Sequence, residues 1–91
     1  MSAHPNAPHA LSLTQHIEAC ARHGMNGVTA GSRPNSAAYA AFVAALKSDS
    51  VLRARAQAEL DAMDPRVLMK SHVDRWKKSL LENAIQGVPA P

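Results

Sequence analysis

The sequence predicts an all-α fold, a small bundle of four helices. Bulky apolar residues recur at helical spacing rather than in alternation. The apolar share, 46%, comes mainly from Ala, Leu, Val, Ile and Met, with three aromatics only, Tyr39, Phe42 and Trp76, a mixture that favours helix over strand. Each periodic stretch is also bounded by residues that start or stop helices. These signals put helices at about residues 12–23, 36–47, 50–63 and 65–86.

The chain divides into a flexible, disordered N-terminal tail, 1–10, and a single helical domain, 11–91. The tail combines Pro5, Asn6 and Pro8 with small residues and has too little apolar surface to offset the entropy of ordering it. Ser12 with Gln15 makes a capping box; Leu13, Ile17 and Cys20 then share a face, and Gly24 is the expected stop. A glycine-bearing connection, Gly24 to Asn35, is longer than the usual link between bundle helices. In the second helix, the charge-free run AAYAAFVAAL sets Tyr39, Phe42, Val43 and Leu46 on one face and alanine elsewhere, which marks the central helix of the fold. Asn35 or Ser36 caps it.

Asp49 or Ser50 caps the third helix, whose Leu52, Ala56, Leu60 and Met63 line one face. Asp64-Pro65 restarts the chain as an N-cap followed by a first-turn proline, and the fourth helix is expected to run unbroken to Gln86 before Gly87. Its main stripe is Met69, Val73, Trp76, Leu80 and Ala84. Val67, Leu81 and Ile85 fall well off that stripe, which makes them the candidate partner-binding residues.

Composition narrows the functional classes. Ten Lys and Arg against seven Asp and Glu leave a net charge of +3, short of the dense charge that nucleic-acid binders concentrate on a face. A lone cysteine, Cys20, permits no intrachain disulfide. The first residues lack the basic and apolar regions of a secretory signal, and the longest apolar run is about half the ~20 residues that span a bilayer. A cytoplasmic protein with no membrane contact is the expectation.

Three constellations point to chemistry. His16, Cys20 and His23 lie at i, i+4 and i+7, a spacing that suits zinc or copper, yet Cys20 also continues the apolar stripe, so a metal is not expected. Arg53 and Arg55 after a short turn suggest a helix-turn-helix, and Arg66, Lys70 and Lys77 extend the basic surface onto the fourth helix; these five are the candidate nucleic-acid contacts. Glu59 and Asp61 on the third helix oppose deep entry into a groove. The glycines of the connection lack the strand and the Gly-Lys-Ser/Thr sequence of a phosphate loop.

Asp49-Ser50-Val51 is similar, over three residues, to the Asp-Ser-Leu turn of acyl carrier proteins. Arg53 and Arg55 stand where those carriers are acidic, and an Asp-Ser N-cap accounts for the turn without a prosthetic arm. No catalytic set can be assembled from spacing, and no cofactor is implied. The expected function is therefore that of a protein–protein interaction module or regulatory subunit, with another protein or a second copy as partner. Nucleic-acid binding is the alternative, and a His/Cys metal protein a more distant one.

Overall fold

The computed structural model describes residues 11–29, 31–63 and 71–88. Within them lie four α-helices, α1 Leu13–Cys20, α2 Ser36–Ser48, α3 Ser50–Asp61 and α4 His72–Gln86, plus one 3-10 turn, Met25–Gly27, and no strand. The all-α fold read from the sequence is the observed one.

The starts follow local chemistry. Ser12 accepts from the Gln15 amide while the Gln15 side chain accepts from the Ser12 amide, closing the capping box. Asn35 caps α2 by accepting from the Ala38 amide at 3.0 Å, and one carboxylate oxygen of Asp49 accepts from both Val51 and Leu52, opening α3. This capping role accounts for the Asp49-Ser50 turn.

Two boundaries differ from the sequence expectation. First, α1 ends at Cys20 rather than near Gly24, because the Cys20 carbonyl that a continuing helix would offer to Gly24 accepts instead from the Asn35 amide at 2.9 Å. Second, α4 does not run unbroken through Ser71. Ser71 is extended (φ −135°, ψ 120°), and its hydroxyl caps the helix by accepting from the Asp74 amide. The expected start at Asp64-Pro65, with Arg66, Val67, Met69 and Lys70, lies outside the described residues, as does the tail 1–10.

At its far end α4 closes on Gly87, whose φ of 74° is the left-handed conformation that glycine adopts without steric cost. The Gly87 amide donates to Ala84 and the Val88 amide to Asn83, so two otherwise orphaned carbonyls are satisfied. The Arg53 guanidinium adds a third contact, donating to the Ile85 carbonyl at 3.1 Å.

The helix that carries the charge-free run is central, since α2 packs against α1, α3 and α4. Tyr39, Phe42 and Leu46 are buried, and Val43 is partly so. Ile17 and Cys20 from α1, Leu52 and Ala56 from α3, and Trp76, Leu80 and Ala84 from α4 complete the core with Leu81. The Tyr39 hydroxyl is not left unpaired; it donates to the Val88 carbonyl and ties α2 to the end of α4.

Leu81 requires a correction. It is fully buried, so this chain, and not a partner, covers it. The reason is that α4 packs on both α2 and α3 and buries a wider arc than a single stripe. Ile85 is partly buried against the same core, and neither residue offers the free apolar patch expected of a contact surface.

Candidate functional site

A concave surface forms where the connection between α1 and α2 crosses α4. Because Asn35 bonds back to Cys20, the two ends of the connection between α1 and α2 meet and close it as a loop. Val28 is buried and anchors the loop to the core, and the Trp76 indole N–H donates to the Ser32 carbonyl at 3.2 Å, fixing the loop against α4. Gly27 passes so close to the loop's start that a Cβ there would sit 2.8 Å from the His23 Cβ; the glycine is needed for that approach.

Two adjoining cavities result. One of about 200 Å³ is lined by Arg22, His23 and Arg33 together with Val28 and Trp76. The other, about 290 Å³, is lined by His72, Arg75 and Trp76. Ser32 and Trp76 border both, so the two cavities lie side by side against Trp76 and make up a cleft region on this face.

The cleft's electrostatics are one-sided. Among the described residues no carboxylate lines either cavity, and the salt bridges are Lys77 to Glu59 and Lys78 to Glu82. Arg22 makes only a long contact, 3.4 Å, to the Pro34 carbonyl, and Arg75 donates to His72 Nδ1 at 2.6 Å. The guanidinium groups thus face the cleft side of the molecule without an anion of the described chain to neutralise them.

The residues singled out from sequence are dispersed. Arg53 is engaged at the end of α4, Lys77 is held by Glu59 at 2.9 Å, and Arg55 borders a shallow depression with the same Glu59, so a carboxylate lies among the described members. Arg66, Lys70 and Val67 lie outside the described residues. Of the metal candidates, His16 and Cys20 are buried in the core, whereas His23 lies beyond the end of α1 on the cleft. Among the described residues no group of three or more His, Cys, Asp or Glu is disposed to hold a metal ion.

Burial pushes the Cys20 thiol up to about 11, which leaves it protonated and enclosed, the opposite of a reactive thiolate. His72 is exposed and bonded to Arg75, while Trp76 is buried. A second depression, about 440 Å³, follows the exposed alanine side of α2, lined by Ala40, Val43, Ala44, Lys47 and Val88. No helix of the described residues is long and apolar enough to cross a membrane.

No family model, curated protein or solved structure matches this chain. The cleft was missed in the sequence because Arg22, Arg33 and Arg75 lie far apart in the chain and join through the loop's closure.

Proposed function

We propose that this chain is a small cytoplasmic binding module, a regulatory or accessory subunit that acts by recognising a partner protein and not by catalysis. The observation that carries this reading is the cleft beside Trp76, where arginines from the loop and from α4 border neighbouring cavities and no carboxylate of the described chain offsets them. Such a surface favours an acidic segment of a partner through complementary charge and bidentate guanidinium contacts. The protonated, enclosed Cys20 supports binding over covalent chemistry.

Capture experiments with the full chain test this. A partner retained by the wild type should be lost on reversing Arg33 and Arg75 to glutamate, with helical circular dichroism unchanged because both side chains are exposed. Retention of the same partner by that double variant would remove the reading. If instead nucleic acid co-purifies, and an electrophoretic mobility shift at low salt weakens steeply as salt rises, the module is a nucleic-acid binder.

Self-association is a second reading, supported by the exposed alanine side of α2 with Val43 and Val88, which permits close approach of another helix. It predicts a dimer by analytical ultracentrifugation that Ala40→Glu disrupts. A monomer at high concentration removes it.

A further inference from the structure

We propose that the cleft beside Trp76 is a binding site for a phosphoryl group, an inference that rests on the partner-recognition reading and assigns the chemistry recognised. The cavity bordered by Arg22 and Arg33 measures about 200 Å³, space for a small charged group.

Charge and donor geometry then distinguish the anions. One guanidinium fork already satisfies the two oxygens of a carboxylate. Here Arg22 and Arg33 border the same cavity, and Arg75 with His72 borders the adjoining one. The two guanidinium groups on the first cavity already exceed what a monoanionic carboxylate can use and suit a group carrying three oxygens and close to two negative charges. Among the described residues no carboxylate lines either cavity to compete for the arginines. The Arg22 contact to the Pro34 carbonyl, at 3.4 Å, is long enough that turning toward an anion sacrifices little.

The loop is also held ready. Its ends are joined by the bond from the Asn35 amide to the Cys20 carbonyl, and Ser32 is pinned by the Trp76 indole, so Arg22 and Arg33 approach the cavity from a closed loop fixed at both ends. Ligand binding then orders few additional backbone torsions, which favours affinity for a small group.

The chain's single tryptophan provides the readout, since it borders both cavities. Trp76 fluorescence of the full chain is titrated with inorganic phosphate, with acetate, and with a phosphoserine peptide and its unphosphorylated form, at constant ionic strength. Isothermal calorimetry is run in parallel to register binding that leaves the emission unchanged. A saturable response to phosphate is expected, with acetate weaker and Arg33→Gln lowering phosphate affinity by about tenfold or more, the worth of a charge-assisted pair. Lys47→Gln, outside the cleft, should leave affinity unchanged.

Tighter binding of the phosphopeptide than of phosphate identifies a phosphoryl group borne on a partner; equal affinity identifies free phosphate or a small phosphate ester, and both outcomes support the site. Equal affinity for acetate and phosphate, an unaltered Arg33→Gln variant, or no saturable binding by either method would overturn it. In those cases, partner capture that still depends on Arg33 and Arg75 leaves the protein-binding reading intact.

Discussion

Leu81→Ser is expected to abolish the cooperative fold, not merely the surface affinity of an intact domain. Leu81 is fully buried in a helix that packs on both α2 and α3. Truncating a buried leucine costs about 3–5 kcal/mol, and an unpartnered hydroxyl in the space left behind adds about 1–3 kcal/mol. A chain of 91 residues has only ~5–14 kcal/mol of total stability to lose.

Urea unfolding followed by circular dichroism should show the wild-type transition moved to a much lower midpoint or absent in Leu81→Ser. Ile85→Ser, at a partly buried position, should shift the midpoint less and retain the transition. A Leu81→Ser chain as stable as the wild type, yet unable to bind its partner, would return Leu81 to the role of a surface contact.

The case of Leu81 also shows what a linear pattern encodes. Its angular distance from the Trp76, Leu80 and Ala84 stripe was readable, because helical periodicity fixes angles around an axis. The width of the buried arc was not, because it depends on how many neighbours a helix has. By contrast, Tyr39, Phe42 and Leu46 were legible as core: they fall on one stripe of the run 37–46, whose other positions carry no charge to contradict it. Caps at Ser12 and Asp49 were equally legible, since their hydrogen bonds span two or three residues.

The cleft obeys a different logic. Its two fixing bonds, Asn35 to Cys20 and Trp76 to Ser32, join positions distant in sequence and leave no periodic trace. The glycines of the connection signalled a turn-rich segment but not its closure, and the close approach of Gly27 to His23 depends on that closure. His16 was hidden for a related reason. Its polarity marks it as a flank of the α1 stripe, whereas in the fold its ring lies against Phe42 with centroids 5.1 Å apart and planes 18° from parallel.

That stacked pair carries the second large effect. Phe42 is fully buried in the central helix, so Phe42→Ala should cost about 3–5 kcal/mol in urea unfolding near pH 7.5. Part of that loss is the ring pair itself, since aromatic partners contribute about 0.5–1.5 kcal/mol beyond the area they bury. His16, only 6% exposed, adds a pH signature, because burial lowers its pKa from the ordinary 6.5. The neutral ring is favoured in the fold, and the unfolded chain takes up the proton first as pH falls.

Stability from this group is therefore full above about pH 6.5, declines as pH falls toward the lower folded value, and levels off below it. Denaturation midpoints measured from about pH 7.5 down to about pH 5.5 should fall for the wild type and fall less for His16→Leu, which has no proton to gain. Phe42→Ala opens space beside the imidazole, relieves part of its desolvation and should also flatten the decline, on a lower baseline. Equal acid slopes in the wild type and His16→Leu, or a Phe42→Ala midpoint matching the wild type, would show that the stacked pair does not anchor α1 on α2.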